Sequence, residues 1–357
     1  MAKAMNEHIK GLSVLLDEAV RNGEFAGYDC LIAGRDDVVA HLIGGFSQIV
    51  PSREEMDARP VFDLASVTKP VSTATSAMVA VERGALSLDT KVSDLISEAK
   101  EVADARLCDL MSHRGGLTGW IPLYKSSKDR SDLIRMLMEV ELERPIGEAE
   151  VYSDLGYMLI GLMLERAFER PLNKVAQDLV FEPLGMRETC FLPNEELRRR
   201  AVATEVMDDG LPLIGTVHDE NARAMSGVSG HAGLFGTAED LLIFARMLMR
   251  GGEFDGRRLL SEEGLNLMTK NQNRRIGGHF GYGWVTKKGD SLFGGLCSNS
   301  SFGHTGFTGT SLAVDPEKEV CAILLTNAVH PKRKEKSINP YRRAVFDLAV
   351  KMVGRRD

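Results

Sequence analysis

Strand-like patterns of apolar residues lie near both ends of the chain, and helical patterns fill the middle. Apolar residues recur at helical spacing over 7–22, which predicts a first helix. Two apolar runs, 27–33 and 38–46, follow this segment and predict two strands joined by a polar turn. The elements predicted near the C-terminus are strands over 282–287, 291–296, 309–314 and 319–326, and a helix over 339–353.

The central part of the chain has the period of helices. A helix is predicted from Ser66 to Arg83, with Pro70 in its first turn and Gly84 after its end. Further helices are predicted over 130–140, 155–168, 172–180 and 238–250. This order predicts an α/β (α+β) fold, in which an antiparallel sheet built from both ends of the chain is flanked by the terminal helices.

A single domain with two lobes follows from the same order of elements. We expect an α/β lobe made of approximately residues 1–65 and 275–357, and an inserted, mostly helical lobe of approximately residues 66–274. Pockets tend to form where such units meet, so the functional site is expected in the cleft between the lobes.

Composition narrows the range of partners. The 357 residues carry a net charge of −7, which disfavours a nucleic-acid partner or an anionic membrane surface. The short basic segment from Lys332 to Lys336 is expected to be a solvated loop before the last helix. Five scattered cysteines give no disulfide framework, and no leader-like or membrane-length apolar segment is visible. We therefore expect a cytoplasmic protein with a small-molecule substrate, and its oligomeric state stays open.

The first candidate for chemistry is the run Ser66-Val67-Thr68-Lys69, directly before the long apolar helix. A serine and a lysine three residues apart lie on one helix face, close enough to share a proton. Serine becomes a strong nucleophile only when a neighbouring base takes its proton. Burial at a helix N-terminus is expected to lower the pKa of Lys69, so that its amine could act as this base.

Two further motifs are Tyr152–Asp154 (Tyr-Ser-Asp) and His304–Gly306 (His-Thr-Gly). With Ser66 and Lys69, they resemble the S-x-x-K, Y-x-N and K-T-G (or H-T-G) signatures of the serine β-lactamase and penicillin-binding protein superfamily. The gap of 86 positions from serine to tyrosine (152 − 66) is typical of its class C branch. The resemblance, which covers roughly residues 10–355, extends to Leu110–Leu117, Glu182–Met186 and Leu325–Asn327.

The resemblance implies a serine hydrolase that works through an acyl-enzyme, with no metal and no organic cofactor. It implies that Ser66 is the nucleophile and that Lys69 and Tyr152 move its proton, and which of these two is the general base is left open. The N–H groups of Ser66 and Phe307 are expected to form the oxyanion hole. His304 is a further catalytic candidate. The candidates for substrate binding are Asp154, Thr305, Gly306 and Phe307.

Two positions depart from the superfamily's pattern. Asp154 stands where asparagine is usual, and an ionised carboxylate can only accept hydrogen bonds. His304 replaces a lysine, so positive charge is expected there only part of the time near neutral pH. A β-lactam presents an amide carbonyl and a carboxylate, and both changes disfavour it. We therefore expect the substrate to be a small ester or a peptide-like amide.

Other functions remain as alternatives. The first is a true β-lactamase or a D-alanyl-D-alanine carboxypeptidase. The second is a non-catalytic binding or scaffold member of the fold, against which the retained catalytic motifs argue. A metal site formed by His218, Asp219 and His231 is disfavoured, because their spacing is not typical of metal ligands. The G-x-S-x-G motif of α/β-hydrolases is missing from the sequence.

Overall fold

The computed structural model describes residues 2–287 and 292–353. Its strands are β1 (Gly27–Gly34), β2 (Val38–Gln48), β3 (Glu54–Glu55), β4 (Phe62–Asp63), β5 (Cys190–Phe191), β6 (Leu234–Gly236), β7 (Glu253–Phe254), β8 (Arg257–Arg258), β9 (Val285–Thr286), β10 (Phe302–Thr305), β11 (Ser311–Asp315) and β12 (Val320–Thr326). Seven of them form an antiparallel sheet in the order β3-β2-β1-β12-β11-β10-β9. Strands from the two ends of the chain meet where β1 pairs with β12. The predicted sheet is confirmed.

Most of the helices lie between the two groups of strands. They are α1 (Ala2–Arg21), α2 (Thr75–Glu82), α3 (Val92–Leu95), α4 (Leu107–Met111), α5 (Arg130–Met138), α6 (Asp154–Phe168), α7 (Leu172–Ala176), α8 (Glu182–Leu184), α9 (Glu195–Arg199), α10 (Glu220–Ala224), α11 (Ala238–Met249), α12 (Glu262–Thr269) and α13 (Asn339–Val353). Among the helices of the described residues, none is both long and apolar enough to span a bilayer.

The sheet has a buried face on each side, because alternate residues of a strand point to opposite faces. Cys30 and Ile32 of β1 pack in a core with residues of α1 and α13, such as Leu16 and Phe346. Leu31, between them, belongs to a larger core that contains most of the inserted helices. The terminal helices therefore cover one face of the sheet, and the inserted segment, including α11, covers the other.

The predicted helix from Ser66 to Arg83 has three parts. Ala65–Val67 is a turn of 3₁₀-helix, Lys69–Ala74 is π-helical, and α2 follows. Thr75 Oγ1 donates a hydrogen bond to the Pro70 carbonyl at 2.7 Å within the widened turns. Such π-helical turns inside longer helices are frequent at functional sites.

The predicted terminal helices are present, and the strand predicted over 282–287 is reduced to β9. The strand predicted over 291–296 is wrong for residues 292–296, and residue 291 lies outside the described residues. The N–H of Leu296 donates at 3.0 Å to the carboxylate of Asp347 on α13, so this segment is held by a helix and not by the sheet. The lobe boundaries given above stay a prediction.

Candidate active site

A strained turn presents Ser66 just after strand β4. Ala65, the preceding residue, has a φ of +46°, a region that L-residues seldom occupy. The buried carboxylate of Asp63 fixes the turn, because it accepts the N–H of Ala65 at 2.9 Å and that of His218 at 2.6 Å. Strain of this kind persists only where the surrounding structure imposes it, and it concentrates at functional sites. Ser66 lines a cleft of about 650 Å³.

Lys69 lies beside Ser66, and its side chain is fully buried. Its Nζ donates to Ser66 Oγ at 3.0 Å and to the His231 carbonyl at 3.1 Å, and it forms an ion pair with Asp154 Oδ1 at 2.7 Å. Burial acts to lower the pKa of Lys69, but the ion pair with Asp154 outweighs this effect and raises it above its ordinary value. The lowered pKa predicted from the sequence is wrong, and the resting Lys69 is a cation.

Tyr152 comes directly before the N-cap residue of α6. The residue is 37% exposed, and the centre of its ring lies 4.8 Å from Lys69 Nζ. Lys69 and Ser66 lie close enough to its hydroxyl to act on the pKa of Tyr152 through hydrogen bonding. Burial raises the pKa of Tyr152 although the Lys69 charge opposes this, so the hydroxyl is protonated at neutral pH. Ser66, Lys69 and Tyr152 therefore form one hydrogen-bonded unit.

Two carboxylates and one imidazole lie next to this unit. We call Asp154, Asp219 and His231 the cleft cluster, and one potential ligand atom from each lies within 4.8 Å of the others. His231 Nε2 is hydrogen-bonded with Asp219 Oδ1 at 2.8 Å. Burial acts to raise the pKa of Asp219, but His231 and the N–H of Ala222 outweigh this effect and hold it well below its usual range. The charge of Asp154 is balanced by Lys69.

The structure does not bring together His218, Asp219 and His231, the metal site that the sequence analysis disfavoured. His218 faces away from that arrangement, because its Nε2 pairs with Glu205 at 3.0 Å. Its ring stacks against Phe307, with ring centres 5.8 Å apart. Asp154 takes its place beside Asp219 and His231, which sequence spacing could not have indicated.

His304 is buried and neutral. Burial, together with repulsion from Lys69, lowers the pKa of His304 to about 3. Its Nδ1 lies 2.8 Å from the Thr305 carbonyl, which can only accept, so Nδ1 holds the proton. Its Nε2 is therefore unprotonated, and this buried atom has no hydrogen-bond partner among residues 2–287 and 292–353. The part-time positive charge predicted for His304 is wrong.

The strand that holds His304 approaches the serine turn closely at Gly306. A Cβ atom there would lie 2.1 Å from Thr310 Oγ1 and 2.6 Å from the Leu64 carbonyl, so only glycine fits. Thr305, Gly306 and Phe307 line the cleft together with Ser66. The N–H of Phe307 donates no hydrogen bond to another backbone or side-chain group of the described residues. The N–H of Ser66 belongs to a first helical turn, where backbone donors have no intrahelical acceptor.

Arg342 of α13 is a cleft residue that sequence reasoning missed. It is buried, and its guanidinium donates to the carbonyl groups of Gly306 at 2.8 Å and Thr310 at 3.0 Å. Burial lowers the pKa of Arg342 to about 10, which leaves it charged at neutral pH. No carboxylate in the described part of the chain forms an ion pair with it. In the sequence it is one arginine of a helix that has others, so no signal distinguishes it.

The basic segment from Lys332 to Lys336 is an exposed loop, as predicted, but it also borders the cleft. Arg333 pairs with Glu205 at 2.6 Å and also with Glu220. The loop is therefore attached to the wall that contains the cleft cluster, and it narrows the entrance near Phe307, over whose ring Arg333 lies at 5.7 Å.

Comparisons with known proteins agree with this fold. The family model described as Beta-lactamase matches residues 12–346. The chain is 31% identical over 330 residues to an N-acetylmuramyl-L-alanine amidase of Bacillus subtilis, covering 82% of this chain and 74% of that protein. EstCE1, a hydrolase with promiscuous acyltransferase activity, has a similar fold, with a TM-score of 0.79, 22% identity, and 97% and 99% of the two chains covered. A penicillin-binding protein homologue from Caulobacter crescentus has a TM-score of 0.77 at 21% identity, with 97% of each chain covered.

Proposed function

The chain belongs to the β-lactamase family and is a serine hydrolase, and we propose that Ser66 takes the acyl group of a small ester or a peptide-like amide. The observation that supports this proposal most directly is the hydrogen-bonded unit of Ser66, Lys69 and Tyr152 at the wall of an open cleft. A strained nucleophile turn and a fully buried lysine have no evident use in a non-catalytic protein.

In the proposed acylation step, Ser66 Oγ attacks the carbonyl carbon while its proton passes to the Tyr152 oxygen, and the phenolic proton of Tyr152 passes to the leaving alcohol or amine. Lys69 keeps its charge and stabilises the negative charge that develops on the Tyr152 oxygen during this transfer. Tyr152 is therefore assigned as the proton relay between Ser66 and the leaving group. The N–H groups of Ser66 and Phe307 donate to the oxyanion. A water molecule, deprotonated in the same way, releases the acid and restores Ser66.

Arg342 supports a second candidate acyl donor, a peptide that ends in a carboxylate. Such a peptide is the kind of substrate on which a D-alanyl-D-alanine carboxypeptidase acts. This buried cation lines the same cleft as His304 and donates to neutral carbonyl groups. A substrate carboxylate on that side of Ser66 would gain a charge-assisted interaction that the neutral His304 cannot provide. The other side of Ser66, where Asp154 and Asp219 lie, would not favour an anionic group.

Active-site labelling tests the proposal. A fluorophosphonate probe should form one adduct, on Ser66, and peptide mapping by mass spectrometry should locate it. Labelling of a different residue, or equal labelling of the Ser66→Ala variant, would refute the assignment. To separate the two donors, hydrolysis of an N-acyl-D-alanyl-D-alanine peptide should be compared with that of its C-terminal amide. A clear preference for the free carboxylate that is lost in Arg342→Gln would favour the second donor.

A further inference from the structure

A second group of metal-ligating residues lies outside the cleft, on the face of the sheet covered by α11. Asp29 is on β1, His41 is on β2, and Glu239 is in the first turn of α11. One potential ligand atom from each lies within 4.8 Å of the others. We call these three residues the sheet cluster.

The strand register explains how the first two residues meet. Leu31 of β1 lies opposite His41 of β2, and Asp29 lies opposite Ile43, so Asp29 and His41 are diagonal neighbours on one face. His41 Nε2 is hydrogen-bonded with Asp29 Oδ1 at 2.8 Å. Because both residues lie on paired strands and Glu239 on a helix, the three side chains start from rigid backbone.

The sheet cluster has unused ligand atoms. Asp29 is 0% exposed, and its second oxygen, Oδ2, is buried without a hydrogen-bond partner among the described residues. Oε2 of Glu239 is likewise buried and without a partner in that part of the chain. A buried carboxylate oxygen without a donor is costly, and two of them near each other are costlier still.

Protein cations do little to balance this charge. The nearest guanidinium, that of Arg59, has its Nε 4.0 Å from Glu239 Oε1 and is engaged mainly with Glu188 at 2.6 Å. His41 is the other source of positive charge, and its hydrogen bond with Asp29 raises its pKa. Burial raises the pKa of Asp29, and the charge of Glu239 raises it further.

We propose that Asp29, His41 and Glu239 bind a first-row divalent cation of the zinc type, with water completing its coordination. One imidazole nitrogen and two carboxylate oxygens are a ligand set that Zn²⁺ accepts, whereas Mg²⁺ prefers oxygen ligands and retained waters. Ligand atoms around a tetrahedral zinc are about 3.4 Å apart, so the side chains need to shift by about 1 Å. The ring nitrogen that binds the ion releases its proton if it has one.

An entry path exists, because the side chains of His41 and Glu239 are 28% and 34% exposed while Asp29 forms the floor. The ion would link the neighbouring strands β1 and β2 to α11. That helix follows β6, whose Phe235 pairs with Asp63, the residue that fixes the serine turn. The proposed role is therefore to stabilise the contact between the sheet and the segment that contains the nucleophile.

Calorimetric titration of the EDTA-treated, desalted full-length chain with ZnCl₂ tests the proposal. We expect one ion per chain, an increase of several degrees in Tm, and an association constant reduced about 10-fold or more in both Asp29→Asn and Glu239→Gln. Titration with MgCl₂ should give much weaker binding. The matched control is Glu263→Gln, which removes an acid from the first turn of α12 and should bind zinc as the unaltered chain does.

A second control locates the ion. Asp219→Asn alters the cleft cluster, and zinc binding that persists in this variant but not in Glu239→Gln places the ion at the sheet cluster. If Asp29→Asn does not fold, Glu239→Gln and His41→Gln, which change partly exposed side chains, decide the question. No binding at about 100 µM zinc, unchanged binding in the cluster variants, or equal affinity for Mg²⁺ would overturn the proposal.

Discussion

The cleft cluster and the sheet cluster contain the same chemical groups, two carboxylates and one imidazole, and in each the potential ligand atoms lie within 4.8 Å of one another. They differ in what balances their charge. In the cleft, the buried ammonium of Lys69 lies 2.7 Å from Asp154. At the sheet, the nearest guanidinium is 4.0 Å from Glu239 and already paired with another acid.

This difference shows that the chemistry of a cluster depends on its surroundings as well as on its residue types. In the cleft, a buried lysine balances the charge of Asp154 and lies next to the serine and the tyrosine that are proposed to exchange protons. Without such a lysine, the sheet cluster retains buried carboxylate oxygens that a proton or a metal ion can satisfy. Four experiments test this difference between the two clusters.

The largest effect is expected from removing Ser66, the proposed nucleophile next to the cleft cluster. Ser66→Ala should lower kcat for p-nitrophenyl butyrate by about 10⁴-fold or more, because the acyl-enzyme cannot form. Circular dichroism and Tm should stay close to those of the unaltered chain. Retention of more than about a tenth of the activity would show that another residue is the nucleophile.

The next effect concerns the lysine that distinguishes the two clusters. Lys69→Ala and Tyr152→Phe should each lower kcat/KM by about 10²–10⁴-fold, and the double variant should be little worse than either, because residues that act as one unit give non-additive losses. A kinetic double-mutant cycle on one ester provides the measurement. Fully additive losses would show that the two side chains act in separate steps.

Substrate choice is expected to be a smaller effect, and it depends on Asp154 and His304. The ester should be hydrolysed with a kcat/KM about 100-fold above that for nitrocefin, which corresponds to about 2.7 kcal/mol. Asp154→Asn combined with His304→Lys should narrow this gap by providing an amide donor and a fixed cation. Nitrocefin turnover as fast as ester turnover in the unaltered chain would restore β-lactamase as the leading function.

The smallest expected effect is a difference in the free energy of unfolding between variants of the two clusters, measured in the absence of metal ions. Burial raises the pKa of Asp29, so its ionisation costs stability as pH rises above the unfolded value of about 4. The hydrogen bond with Asp29 raises the pKa of His41. Protonated His41 therefore stabilises the folded chain below about pH 6.5, and this stabilisation is lost as the pH rises through the folded pKa of His41. Relative to the unaltered chain, Asp29→Asn should therefore gain stability as the pH rises from 5 to 9.

Asp219→Asn should behave in the opposite way. Its pKa is lowered in the folded chain, so the carboxylate contributes stability at every pH above about 4, and its removal should destabilise the chain from pH 5 to pH 9. Urea unfolding in EDTA at both pH values measures the two variants side by side. If both substitutions changed the free energy of unfolding with the same sign and the same pH dependence, the two clusters would not differ in the way described.

Much of the fold was predictable because local pattern and overall architecture agree. Helical periodicity located α1, α5, α6, α11 and α13, and apolar runs located β1, β2, β11 and β12. The strand predicted over 291–296 failed for the part that the structure describes, since an apolar run cannot show that Asp347 on a distant helix takes its backbone donors.

For the candidate site, the sequence was enough to identify the chemical groups that are present. Ser66 and Lys69 are neighbours because their spacing on a helical turn requires it, and the resemblance located Tyr152 and His304. The spacing could not determine their charge states, because a pKa depends on burial and on charges brought from other parts of the chain.

The charge states, and the contacts between residues distant in sequence, follow from the tertiary structure. The carboxylate of Asp154 keeps Lys69 protonated, and burial keeps His304 neutral, which reverses both expectations. Tertiary structure also brings Arg342 into the cleft and assembles the sheet cluster, whose members come from two strands and a distant helix. Folding brings such residues together through packing of the sheet and helices, and no local pattern in the sequence records that contact.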